Sequence, residues 1–267
     1  MKKKKILLTG DDGYNSLGTR LLIHYLRDFY ELFVVGTLYQ QSGVGGHISL
    51  KSGGTYGETT VDGVRAMWLD GYPCDAMEAC VGRFDDFDIV ISGMNMGENI
   101  GGSIVSSGTY SAALRSMNLH LAKKAIAISW KCPPTMYHMN HDHNKDSIDL
   151  HLEHPGKTAF QVIQLSIKNN FWGANLLNIN IPAEKSERIV FTKPIPDLRS
   201  YFRYPIILDT KEKKFRYPDG AFLTDSKKFP MYDTGALLNN LISITPHKIS
   251  LLDEDVYKRI KKRKVHI

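Results

Sequence analysis

Cysteine is scarce in this chain. Cys74, Cys80 and Cys132 are the only three, an odd number with neither a metal-type spacing nor an even disulfide set, so a reducing cytoplasm is the expected compartment. Long apolar runs are missing: no stretch approaches the roughly 20 residues of a membrane-spanning helix, so no membrane partner is expected. The opening Lys2-Lys3-Lys4-Lys5 carries the charge of a signal peptide, but the apolar run after it, Ile6-Leu7-Leu8, is too short for the h-region. It reads as a solubilising lead into a buried strand. No Gly-Lys-Ser/Thr phosphate loop occurs, and no Gly-x-Gly-x-x-Gly follows a strand. Both absences weigh against a nucleoside triphosphatase and a nicotinamide enzyme. No Ser-His-Asp set or cysteine nucleophile stands out. Charge of one sign is not in great excess either. The net +6 over 267 residues is modest, and the basic run Lys258–Lys264 lacks the interleaved aromatics of a nucleic-acid surface. A solvated helix end explains that run without a partner, so nucleic acid is not expected to bind.

What is present is ordinary globular material, 42% hydrophobic and 23% charged, of a length that suits one large domain. Short apolar runs alternate with helical patterns, which is the signature of a βαβ sheet. Strands are expected at Lys5–Thr9, Leu32–Gly36, Val64–Leu69, Asp88–Ser92 and Ala125–Ser129, and helices at Leu17–Asp28, Asp75–Val81, Ser107–Leu119 and Gly156–Asn169. Leu176–Pro182 alternates apolar and polar residues, as a half-buried strand does. Leu241–Thr245, closed by Pro246, reads as a late strand and Asp253–Lys264 as a terminal helix. Pro133–Pro155 is polar and holds His138, His141, His143, His151 and His154. It reads as a surface loop, with a metal site the alternative. The expected fold class is α/β: a Rossmann-like, mostly parallel sheet flanked by helices, with an extended or hairpin excursion late in the chain. The divisions are residues 1–188, a core holding the active site, and 189–267, an extended arm, late strand and terminal helix of the same domain.

The chemistry concentrates at the ends of strands. Asp11 and Asp12 arrive together where the first strand stops. Adjacent carboxylates repel, and a hard divalent cation such as Mg²⁺ or Mn²⁺ would relieve them. A plain turn or helix cap is the other reading. Two more glycine-containing loops follow strands, 41–47 and 93–102. In a parallel sheet all three open on one edge, where Ser42 and Asn95 can join Asp11 and Asp12 around one cation. Ser106-Ser107-Gly108-Thr109 opens the alanine-rich helix. Free N–H groups, the helix dipole and the hydroxyls of Ser107 and Thr109 suit a phosphate. Simple capping by Ser106 or Ser107 is the alternative.

In order, Ile6-Leu7-Leu8-Thr9-Gly10-Asp11-Asp12-Gly13, Gln41-Ser42-Gly43, Ser92-Gly93-Met94-Asn95-Met96-Gly97-Glu98-Asn99-Ile100-Gly101 and Ser107-Gly108-Thr109-Tyr110-Ser111-Ala112-Ala113 resemble the SurE family of metal-dependent nucleoside monophosphate phosphatases. Leu177–Pro182 and Ile242–Pro246 match more weakly. The resemblance implies a hydrolase of phosphate monoesters, 5′-nucleotidase-like, with one Mg²⁺ or Mn²⁺ per subunit on Asp11, Asp12, Ser42 and Asn95. Asp11 and Asp12 would also be catalytic. Ser107, Gly108 and Thr109 would lie at the phosphate of a nucleoside monophosphate. It further implies a homodimer or homotetramer. The chain departs from the family pattern at Gly10 (usually Asn), Gly36-Thr37 (usually Ala-Pro), Ser103 (usually acidic), Ser106 (often Tyr) and Arg115 (often Glu). Two rival readings follow: a nucleotide- and metal-binding protein of weak turnover, prompted by Gly10 and Ser103, and a nucleic-acid-associated protein, prompted by the basic tail.

Overall fold

The computed structural model describes residues 3–84, 87–137, 147–197, 206–217, 224–250 and 252–261. Ile6, Leu7 and Leu8 have no exposed surface. A strand apolar on both sides must be covered on both faces, which is the condition of a central parallel strand. That strand, β1 (Lys5–Thr9), lies between β2 (Glu31–Thr37) and β5 (Ile89–Met96), and both pairings are parallel. The sheet continues through β4 (Val64–Leu69) and β3 (Tyr56–Val61) on one side. On the other it continues through β6 (Ala125–Trp130), β7 (Leu176–Ile181), β11 (Ile242–His247) and β8 (Ile189–Phe191). Its nine strands run β3-β4-β2-β1-β5-β6-β7-β11-β8. Among the described residues, the β3–β4 and β11–β7 pairings of this sheet are antiparallel and its other pairings parallel. A separate hairpin joins β9 (Ile207–Asp209) to β10 (Lys214–Arg216) within the late excursion.

Helices cover both faces. On one, α1 (Leu17–Leu26) presents Leu17, Leu21, Leu22 and Leu26, and α4 (Lys157–Lys168) presents Ala159, Val162 and Ile163, to Ile6, Leu8, Ile91 and Ile179. On the other, α2 (Pro73–Glu78) and α3 (Gly108–Asn118) set Ala76, Met77, Ala112, Ala113 and Met117 against Leu7, Val90 and Ala127. Each fully buried leucine contributes about 1.5–3 kcal/mol. Ser16 caps α1 by accepting Thr19 N–H at 3.3 Å. The late helices are α5 (Asp233–Leu238) and α6 (Glu254–Ile260).

The expected α/β sheet is present, with several corrections. The short helix begins at Pro73 itself, since proline at the first turn loses no hydrogen bond there. The edge strand β3 carries no strand signal in the sequence, because Tyr56–Val61 is mostly exposed and shows no apolar alternation. β7 is buried on both faces rather than half-buried. Its polar positions, Asn178 and Asn180, are interior and hydrogen-bonded. Pro246 does not close the last strand, which runs to His247 in register with Leu176. Within the late excursion, Ile189–Phe191 is a strand of the main sheet. Among the described residues no helix is long and apolar enough to cross a membrane.

Candidate metal centre and active site

The strand order reverses at β1. β2 is laid on one side of it, and the chain returns to place β5 on the other. The crevice above the carboxyl ends of these strands is where open α/β sheets bind ligands. Asp11 and Asp12 emerge there from β1 and are nearly buried, at 4% and 5% exposed. Burial raises both carboxyl pKa values. The rise is large for Asp12, where the charge of Asp11 adds to burial. For Asp11 the Thr109 hydroxyl and the backbone N–H groups of Thr109 and Gly108 act in the opposite direction.

Each expected loop is tied to this pair. The loop after β2 comes in through Gln41 N–H, which donates to the Asp11 carbonyl at 2.6 Å. Ser42 is the next residue, exposed, with its hydroxyl accepting from the Gln40 amide. At the end of β5 the register with β6 shifts between Ser92 and Asn95. There Met96 N–H donates to Asp12 Oδ2 at 2.8 Å. Asn95, one residue earlier, donates its amide to Gly97 O at 2.6 Å, so its carbonyl oxygen is the atom it has to offer. Helix α3 is aimed at Asp11. Ser107, not Ser106, is its cap, accepting Tyr110 N–H at 3.0 Å. Thr109 is completely buried, and its hydroxyl donates to Asp11 Oδ1. Gly108 has to be glycine, because a Cβ there would lie 2.7 Å from Asp11 Oδ2.

The structure therefore gathers Asp11, Asp12, Asn95, Ser107, Gly108 and Thr109 at one edge and brings the Ser42 loop onto the Asp11 backbone. It also changes how two hydroxyls read. Both Ser107 and Thr109 are engaged within the protein, and the anion facing the α3 amino terminus is the Asp11 carboxylate. Among the described residues, no lysine, arginine or histidine pairs with Asp11 or Asp12. Nor do three or more His, Cys, Asp or Glu side chains gather into a metal site. Two buried carboxylates without a cationic partner among the described residues are the kind of oxygen donors a hard divalent cation takes, with water and substrate completing its shell. The donor set fits that ion.

Other residues around the site carried weaker sequence signals. Glu98, with its side chain 3% exposed, accepts from Lys131 Nζ at 3.1 Å and from Tyr137 OH at 3.0 Å. Asn99 is held at four points: its N–H by Asn180 Oδ1 at 2.9 Å, its amide by Ser129 Oγ at 2.9 Å, and its carbonyl by Asn178 and Asn180 at 2.8 and 3.0 Å. The polar places in the otherwise apolar β7 were the one available signal for this clamp. Arg115 pairs with Glu78 across α2 and α3, its Nε 2.8 Å from Oε1. Ser103 bonds within its own loop, to Ile100 O. Gly10 faces the Gly93 backbone, and a Cβ there would meet Gly93 N at 3.4 Å, an ordinary contact.

The three thiols are buried and pushed up by that burial, to about 11 for Cys74 and about 12 for Cys80 and Cys132. None suits a nucleophile. His154 is knotted into the fold between Thr158 Oγ1 at 3.2 Å and the carbonyls of Pro182 and Ala183 at 3.1 and 3.0 Å. His151 packs edge-on to Trp130. His138, His141 and His143 lie outside the described residues, as does the basic tail from 262 onward.

The family profile described as Survival protein SurE matches residues 6–199. The chain belongs to the SurE family. It is 30% identical over 259 residues to the 5′-nucleotidase SurE of Archaeoglobus fulgidus, covering 92% of each chain. It is 32% identical over 256 residues to the 5′-nucleotidase SurE of Methanopyrus kandleri, covering 91% of this chain and 90% of the other. The SurE protein from Aquifex aeolicus has a crystal structure that superposes with a TM-score of 0.72, at 24% identity, over 96% of this chain and 98% of that one. At that identity the superposition speaks for the fold. The site residues of this SurE-family chain rest on the geometry above.

Proposed function

We propose that this chain is a metal-dependent phosphomonoesterase that hydrolyses nucleoside monophosphates to nucleoside and phosphate. The observation that carries the reading is the pair of buried carboxylates at the switch point of the sheet, with no cationic side chain paired to them among the described residues, with Met96 and Thr109 bonded to their oxygens and Gln41 to the Asp11 backbone. The 5′-nucleotidase relatives supply the substrate class. Mg²⁺ or Mn²⁺, when bound, supplies Lewis acidity toward a phosphoryl oxygen and makes a water molecule more acidic.

The protein's own groups divide the remaining work. Asp11 and Asp12 would hold the cation, with Asn95 and Ser42 as neutral oxygen donors. Thr109 fixes the rotamer of Asp11 through the hydroxyl contact. Asp12 accepts a single backbone hydrogen bond, from Met96. It therefore keeps lone pairs free to take a proton from the attacking water. The segment 107–109 would flank the phosphate, while the glycine at 108 lets the Asp11 carboxylate pack against the amino terminus of α3. Because its hydroxyl is spent on Asp11, Thr109 acts on the cation side of the site.

The test is phosphate release from a panel of nucleoside 5′- and 3′-monophosphates, with the chelated protein and after addition of Mg²⁺ or Mn²⁺. Release that depends on the added cation is expected. Release undiminished in chelator would sink the reading. Nucleotide binding without any release would select the weak-turnover alternative.

A further inference from the structure

Asp233, at the start of α5, is a buried carboxylate with no role in the chemistry above. It has no exposed surface. Its two oxygens face different parts of the molecule. Oδ2 accepts Gly101 N–H at 2.7 Å. Oδ1 accepts Ile195 N–H at 3.1 Å and Thr234 N–H at 2.8 Å. Gly101 belongs to the loop that runs from Asn95 to the cap of α3. Ile195 and Asp233 stand at the two roots of residues 196–232, the part of the late excursion that follows β8. The two roots of the excursion also lie side by side, with Lys193 N–H on Met231 O at 2.9 Å and Asp233 N–H on Lys193 O at 3.0 Å. The fit at Gly101 is tight: its φ is +56°, and a Cβ there would fall 2.6 Å from Ile195 Cγ2.

We propose that Asp233 is a positioning residue for the 97–107 loop, and that through Gly101 and Ile195 it ties that loop to both roots of the 196–232 excursion. The loop links the strand that carries Asn95 to the helix that carries Gly108 and Thr109, so its path sets how those two parts of the site face each other. One end of it is already clamped by the Asn99, Asn178 and Asn180 hydrogen bonds. Asp233 is the corresponding fastening beyond Asn99, from an element 132 residues away in the chain. This inference rests on the phosphatase reading for its kinetic test, but its structural test is independent of turnover.

Asp233→Asn separates the two roles of the carboxylate. The amide oxygen can keep Ile195 and Thr234, while the amide nitrogen presents a donor to the Gly101 N–H, so the contact to the site loop is the one lost. Leu237→Val serves as the control. It trims the core of the same helix at a buried residue and leaves the Gly101 contact in place. In the full chain, Asp233→Asn is expected to lower kcat/KM for nucleoside monophosphates by about tenfold or more, as displaced catalytic geometry does. Hydrogen exchange of the backbone amides over 98–107 should accelerate selectively. Leu237→Val should lose thermal stability without either effect. If both variants lose activity only in step with their melting temperatures, and exchange in 98–107 is no faster than in the rest of the fold, Asp233 is an ordinary structural residue and the proposal is wrong. If the parent chain releases no phosphate, the functional reading fails by itself. The exchange data then decide the positioning role, selective acceleration upholding it and its absence overturning it.

Discussion

At Asp12, stability and function pull in opposite directions. Its carboxylate is buried, lies beside Asp11, and receives one hydrogen bond. Desolvation and like-charge repulsion both disfavour the ionised form. In metal-free buffer at neutral pH, Asp12→Asn is therefore expected to melt higher than the parent. The gain should be a few degrees, because about 1 kcal/mol moves the midpoint by roughly 2–4 °C in a chain of this size. Added Mn²⁺ should raise the parent's midpoint and leave the variant's nearly unmoved, and turnover should collapse. The pH dependence follows from the raised pKa. A carboxyl raised above 3.8 is favourable to folding below that value and loses the contribution as pH rises, so the gap between variant and parent should close on acidification. A variant that melts below the parent without metal would refute this account. Thr109 gives a second outcome at the same scale. Val keeps the shape and removes the hydroxyl that meets Asp11. Losing a hydrogen bond to a charged group costs roughly 1.5–3 kcal/mol, so Thr109→Val should weaken Mn²⁺ binding about tenfold or more. Calorimetry of Mn²⁺ binding without nucleotide checks it. An unchanged metal affinity with a weaker phosphate inhibition would return the hydroxyl to the phosphate.

Helix α3 shows how a tertiary contact overrides local preference. Glycine is worth about 1 kcal/mol less than alanine in a helix interior and less than that at a first position such as 108, a preference that by itself mildly favours Gly108→Ala. The contact decides otherwise: the new Cβ would sit 2.7 Å from Asp11 Oδ2 and 2.8 Å from Asp11 Cβ. Asp11 is itself held by Thr109 and cannot withdraw freely. Gly108→Ala is expected to keep its helix content by circular dichroism yet lose most metal-dependent phosphate release. Full activity would show that the helix start has room to shift. Strand β7 makes the same point from the other side. Alternating Asn178 and Asn180 look like a solvated face, but both side-chain amides donate to the Asn99 carbonyl, so the polar residues are inside because a loop needs them there.

Across the whole molecule, pH acts through buried groups of both kinds. His151, His154 and His247 are all lowered from 6.5 by burial. A histidine lowered in the fold contributes stability that is complete above 6.5 and is lost as pH falls through its folded value. The histidine contribution should therefore fall on acidification below about pH 6.5, against the gain from the raised carboxyl of Asp12, and His154→Gln should flatten the histidine part of the profile. Urea midpoints between pH 7 and pH 5 measure it, and identical pH profiles for parent and variant would exclude His154 as a contributor.

Much of the core and the centre of the site was legible in local sequence. Ile6-Leu7-Leu8 is apolar on both sides and therefore central, the carboxylates follow where a parallel strand ends, and glycine loops after two further strands set Ser42 and Asn95 on the same edge. These are short-range signals, written in periodicity and in the residue types that turns require. The expected binding roles of those residues rest on the functional tests above. What local sequence could not hold is pairing across the chain. Thr109 reaches Asp11 over 98 residues and Asp233 reaches Gly101 over 132, and no periodicity records a partner at that distance. The same holds for β3, an exposed strand defined only by its pairing with β4. Local composition determined that two carboxylates stand at a sheet edge. Which hydroxyl orients them, and which distant carboxylate fastens the loop beside them, was decided only when the strand order placed β5, α3 and α5 around β1, because hydrogen bonds and desolvation depend on neighbours in space.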